Sequence, residues 1–196
     1  MNHKIIFPLL AAIPFIVIGC ATDHVIETGG RESIVTVGQI NIQDYIQAAN
    51  ASVNDLLASG ALDHVANPPA VIAISRIVNS TGQQIDTDLL AKKIRIALLN
   101  SGKAQTTTTI GLGGQAEDPL AKSVGDENAF LNDQKSTRLP NFTLSGKIIE
   151  TLARAGSTRQ STYSFQLSLT DTKTGNAVWE GEKEITKQGT HPVVGF

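Results

Sequence analysis

Cysteine is nearly missing from this chain: there is one, Cys20, in 196 residues. That excludes a disulfide framework and a zinc cluster built on several thiolates. Positive charge is not in excess either. Sixteen Lys and Arg stand against eighteen Asp and Glu, a formal net charge of -2, which excludes the usual footprint of a strongly basic nucleic-acid binder. Long apolar runs are confined to the first nineteen residues. Ile5–Gly19 is uncharged and apolar but short for a membrane-spanning helix, which needs roughly 20 residues, and Pro8 and Pro14 interrupt it. With one Lys just ahead of it, this pattern reads as a secretory signal peptide over residues 1–19.

The end of that segment is specific. Val17-Ile18-Gly19-Cys20 resembles the bacterial lipobox. The resemblance implies diacylation of the Cys20 thiol, cleavage before it and acylation of the new amine. Several acyl chains anchor a protein stably, at roughly 0.8 kcal/mol per buried methylene. By resemblance to the sorting rule of Gram-negative lipoproteins, Ala21 rather than Asp after the cysteine implies the outer membrane. Residues 20–40 then read as a lipidated N-terminus and short tether, with a short strand at Ser33–Val37. Some twenty residues separate Cys20 from the first helix, a reach of about 65 Å at roughly 3.3 Å per residue.

Residues 41–196 read as one globular domain. Asn41 is placed to cap a helix whose Ile42, Tyr45, Ile46, Ala49, Val53, Leu56 and Leu57 recur at helical spacing, and Gly60 stops it. Ala70–Val78 is mostly apolar and β-branched, the pattern of a buried central strand. Asn79-Ser80-Thr81-Gly82 is a turn. Asp86 is an N-cap, with Ile85 and Leu90 spaced as a hydrophobic staple, and Gly102 closes this second helix. Lys103–Ile110 reads as a polar edge strand, and a short helix fits within Glu117–Asn132.

Asn141–Leu152 begins as a strand, with Gly146 marking a bulge or a close approach. Arg154–Arg159 reads as a hairpin connection. Tyr163, Phe165, Leu167 and Leu169 alternate with polar residues, a half-buried strand. After the turn at Asp171–Asn176, Ala177, Trp179 and Ile185 share the inner parity, and Glu180, Glu182 and Glu184 the outer. The fold class is therefore α+β: a mostly antiparallel sheet of four to five strands packed with helices. Tyr163, Phe165 and Trp179 are the expected structural core, with Trp179 as a binding anchor the alternative.

Nothing in the pattern carries catalysis. His24, His64 and His191 follow the leader without metal-ligand spacing, and Gly111-Leu112-Gly113-Gly114 lacks the lysine of a phosphate loop. No cofactor or metal is expected, and no nucleic-acid partner.

Two segments, Ala70–Asn100 and Leu139–Gly181, resemble the LpoB family of penicillin-binding protein activators. The matching pieces are Asn79-Ser80-Thr81, Ile85-Asp86-Thr87, Leu144-Ser145-Gly146, Asp171–Gly175 and Trp179-Glu180-Gly181. Curli-type secretion lipoproteins share part of the architecture, which keeps a structural or export-related envelope lipoprotein as the alternative, with self-association open. The resemblance implies a noncatalytic outer-membrane lipoprotein that faces the periplasm and activates a class A penicillin-binding protein. A loop cluster of Asn79, Thr81 and Asp86 is then the candidate partner contact, a turn plus helix cap being its plain structural reading.

Overall fold

The computed structural model describes residues 25–27, 38–110, 116–132 and 139–190. Cys20, the leader and the strand expected at Ser33–Val37 lie outside the described residues. Within them the order is α1 (Ile42–Ser59), β1 (Ala70–Ser80), α2 (Thr87–Asn100), β2 (Ala104–Thr106), α3 (Pro119–Asn132), β3 (Phe142–Ala155), β4 (Thr158–Asp171) and β5 (Ala177–Thr190).

Both packed helices start where their caps dictate. The Asn41 side chain accepts from the Gln43 and Asp44 amides, and the Asp44 carboxylate accepts from the Asn41 N–H at 2.6 Å, a complete capping box. Gly60 ends α1 in the left-handed region, at φ 74°. Asp86 Oδ1 accepts from the Asp88 and Leu89 amides, both at 3.0 Å, and so caps α2. Tyr45, Ala48, Ala49, Val53 and Leu56 of α1 and Leu90, Ala91, Ile94 and Leu98 of α2 are buried. These two faces close over one side of the sheet, α1 towards β5 and α2 towards β1 and β2.

The sheet runs β2-β1-β3-β4-β5. It is mixed: β1 is parallel to both β2 and β3, whereas β3–β4 and β4–β5 are antiparallel. The antiparallel ladders are the long ones, β3–β4 running unbroken from Phe142↔Asp171 to Ala155↔Thr158. Phe165 packs edge-on to Tyr45 of α1, with ring centroids 6.5 Å apart and planes at 83°.

Several details depart from the sequence reading for identifiable reasons. The pairing Ile74↔Leu144 jumps to Ile77↔Gly146, so β1 carries an extra residue, and Ser75 and Arg76 both face outwards. Inner parity passes from Ile74 to Ile77 instead of to Arg76. Gly146 faces that bulge, and a Cβ there would sit 2.5 Å from Leu167 Cδ2 and 2.7 Å from the Gln166 carbonyl oxygen. A second register shift, at Val178, takes Ala177 off the inner face, and Ala177 is exposed. The hairpin connection expected over Arg154–Arg159 shrinks to Gly156-Ser157, with Gly156 at φ 59°, so the strands continue almost to its tip. Of Lys103–Ile110, only Ala104–Thr106 pairs, at the sheet edge as expected.

Among its described residues, helix α3 contributes none to the buried core. Its approach is held through Glu117, which forms ion pairs with Lys92, at 2.9 Å, and with Arg95 of α2.

Candidate partner-binding site

The segment after β1 closes on itself. The Asn79 amide nitrogen donates to the Gln83 carbonyl at 2.9 Å. Asn79 Oδ1 accepts from the Thr81 amide at 3.0 Å and from the Thr81 hydroxyl at 2.8 Å. Thr81 Oγ1 in turn accepts from the Gln83 amide at 3.2 Å. Asparagine and threonine suit this place because short side chains with both donor and acceptor can mimic a backbone turn. Asp86 stands apart from this lattice and spends its carboxylate on the α2 cap. The structure thus brings Asn79 and Thr81 together and leaves Asp86 to its capping task. The Asn79 side-chain oxygen and nitrogen both bond within the turn, so Asn79 shapes the loop.

The turn is also fastened at two further points. Gln83 grips the backbone of Ile40 from both sides, accepting from its N–H at 3.0 Å and donating to its carbonyl at 2.8 Å. Glu150 of β3 accepts from the Gly82 amide at 2.8 Å through Oε2, while its Oε1 lies 3.0 Å from the Tyr163 hydroxyl. That hydroxyl also lies 2.9 Å from the Gly38 carbonyl. Burial, reinforced by the hydrogen bond to Glu150, pushes the Tyr163 phenol up to about 12. Tyr163 is accordingly a neutral donor that ties the chain entering the domain to the sheet. Sequence reasoning placed Tyr163 in the core, which is correct at 1% exposure, but missed its hydroxyl's task and missed Glu150 and Gln83 entirely. The one available signal was parity: Glu150 falls on the inner parity of β3, two residues beyond Ile148, where a carboxylate needs a partner.

Trp179 is core, as expected, and is also tied. Its indole N–H donates to Asp55 of α1 at 3.0 Å, and the ring lies over Gly181, where a Cβ would come within 2.3 Å of it. This accounts physically for the spacing Trp179-Glu180-Gly181. The Asp171–Gly175 piece is a turn: Asp171 Oδ1 accepts from the Lys173 and Thr174 amides, and Gly175 sits at φ 73°. Those amide hydrogen bonds, from Thr174 first and Lys173 second, hold the Asp171 carboxyl below its usual range.

A cleft of about 390 Å³ opens beside the entering chain, between Gly38-Gln39 and the far ends of β3, β4 and β5. Among the described residues, no group of three His, Cys, Asp or Glu could hold a metal, and no helix is long and apolar enough to cross a membrane.

Fold and site together define a small α+β domain that offers a braced turn and a polar cleft, a binding module in form. The model of the peptidoglycan-synthase activator LpoB family matches residues 44–185, and the chain belongs to that family. Members are noncatalytic regulators of peptidoglycan synthases, and their setting is the periplasmic side of the outer membrane. Among solved structures, the chain is similar to the LpoB C-terminal domain from Escherichia coli. The identity is 16%, with 72% of this chain and 98% of that one covered and a TM-score of 0.46. It is likewise similar to the same domain from Salmonella enterica, at 16% identity, the same coverage and a TM-score of 0.45. Lipoprotein GNA1162 from Neisseria meningitidis matches at 15% identity over 61% of this chain and 84% of that one, with a TM-score of 0.35. No curated protein matches the sequence.

Proposed function

We propose that this chain is a Cys20-anchored, periplasm-facing lipoprotein of the outer membrane that binds and activates a class A penicillin-binding protein without catalysing a reaction itself. The family match over residues 44–185 is the observation that carries this reading. The Cys20 context after an apolar leader supports the anchor. Activation by binding requires that the protein hold the synthase's active arrangement more tightly than its inactive one.

The contact surface proposed is the turn at Asn79–Gln84. It is exposed at Asn79, Ser80, Gly82 and Gln84, yet fixed by its internal hydrogen bonds and by Glu150. A loop held in place before binding loses little conformational freedom on docking. Asn79 and Thr81 are positioning residues in this scheme. Asp86 contributes through the orientation of α2.

Crosslinking in native envelopes is the test, combined with glycan polymerisation by the purified synthase. Recovery of a class A synthase together with faster polymerisation is the expected result. Recovery of a secretion complex, with no change in polymerisation, overturns the reading. Asn79→Ala with Thr81→Val should lower activation while the fold persists, whereas Asp86→Ala should chiefly lower stability, by about 1 kcal/mol. Wild-type activation by the double variant would remove the turn from the interface.

A further inference from the structure

The inner face of the β3–β4 ladder continues past the end of the core. Ile148↔Phe165 is buried, and Glu150↔Tyr163 is tied to the entering chain at Gly38. Leu152↔Ser161 and then Arg154↔Arg159 follow on the same face. Two arginines therefore stand directly opposite each other on neighbouring strands, a like-charge pairing that an anion bound between them would relieve. Among the described residues neither arginine forms an ion pair, and Arg154 only returns Nε to the Gly156 carbonyl at 3.2 Å. From Thr151 to Gln160 there is no acidic residue. Both arginines border the 390 Å³ cleft, and Gly189, opposite Arg159 on β5, leaves space above it. Glu150 borders the cleft too, but its oxygens already serve the Gly82 amide and the Tyr163 hydroxyl.

Two further observations say which anion. Leu152, on the same face and one pair inwards, is 70% exposed, so the patch combines a cationic pair with a bare aliphatic side chain. That pairing suits the boundary between headgroups and acyl chains. The cleft also lies at the chain's entry, since Gly38 forms part of its wall. Gly38 lies eighteen positions after Cys20, a reach of at most about 60 Å at roughly 3.3 Å per residue. We infer that Arg154 and Arg159 form a phosphate-binding pair that engages anionic phospholipid headgroups beside the protein's own anchor. This rests on the anchored reading above. The guanidinium fork suits a phosphate, because each can donate two parallel hydrogen bonds to its oxygens. The hairpin tip then makes a second, reversible membrane contact that orients the domain and leaves the Asn79–Gln84 turn on the domain surface.

The full chain is purified in detergent, and its intact mass reports acylation of Cys20. It is then reconstituted into vesicles of phosphatidylcholine alone or with phosphatidylglycerol. A fluorophore on Ser157→Cys, in the exposed hairpin turn, reads contact through quenching by nitroxide-labelled headgroups. Quenching should be severalfold greater with phosphatidylglycerol, and Arg154→Gln with Arg159→Gln should weaken the contact about tenfold or more. Millimolar inorganic phosphate should not displace the tip beyond what chloride does at equal ionic strength. If it does, the pair is a site for the free ion and the headgroup assignment falls. Equal quenching on both vesicles by acylated protein overturns the inference alone. The same result, with the double variant instead losing capture of the synthase, moves the pair to a protein partner and also overturns it. An unacylated mass with no association with vesicles overturns the anchored reading and this inference together.

Discussion

The two ends of the β3–β4 ladder are built from the same strands with the same alternation, yet they belong to different environments. At one end Phe142, Leu144, Phe165, Leu167 and Leu169 point into a core closed by α1 and α2. At the other, Leu152, Arg154 and Arg159 occupy the same face and are exposed, with no helix of the described residues above them. The change falls at Glu150↔Tyr163, where inner-face residues stop being purely apolar and begin to bind the incoming chain. Alternation thus fixes which way a side chain points, whereas the helices decide whether that direction is buried.

The largest break of this contrast comes from the covered end. Phe165→Ala removes a ring that is 2% exposed and packed on Tyr45, and should cost about 4 kcal/mol in chemical denaturation. Gly146→Ala should cost about 2 kcal/mol, because the added carbon meets Leu167 and the Gln166 backbone and only the side chain can move aside. At the boundary, Tyr163→Phe should cost about 1 kcal/mol near neutral pH for the lost hydrogen bond. It should also change the alkaline limb. The folded phenol titrates at about 12 against an ordinary 10.0, so its protonated form is favoured by folding. That contribution is complete below pH 10 and disappears as pH rises through about 12. Wild type should therefore lose stability over that window more steeply than Tyr163→Phe, and parallel unfolding curves would remove the linkage. At the bare end, Leu152→Ala should change stability by no more than about 0.5 kcal/mol, despite sharing a strand face with Ile148. A cost like that of a core leucine would mean that this face is covered in solution.

Much of the fold was readable because caps and alternation are local. Asn41, Gly60 and Asp86 mark helix ends within a few residues of themselves, and the Tyr163–Leu169 alternation is unambiguous. The bulge between Ile74 and Ile77 was missed although the adjacent polar pair Ser75-Arg76 marks it, because Ala70–Ile74 is buried on both faces and shows no parity against which to see the break. The parallel pairing of β1 with β3 joins segments about seventy residues apart and leaves no local mark. The site divides in the same way. Asn79 and Thr81 announce a turn by residue type. Glu150, which braces that turn from 68 residues away, can be recognised only once the strands are side by side. The short pieces that carry the family likeness turn out to be mostly architectural: a turn, a cap, two glycines under close contact, and an Asp-led loop.

The grip on Ile40 also has a mechanical side. Any pull on the chain ahead of Gly38 meets the Tyr163 hydroxyl first and the two Gln83 hydrogen bonds next, before it reaches the capping box of α1. Tension from the N-terminal side is thereby split between β4 and the turn after β1, and α1 is spared from unwinding at its first turn. A pull from that side would then leave the helical cover closed over the sheet.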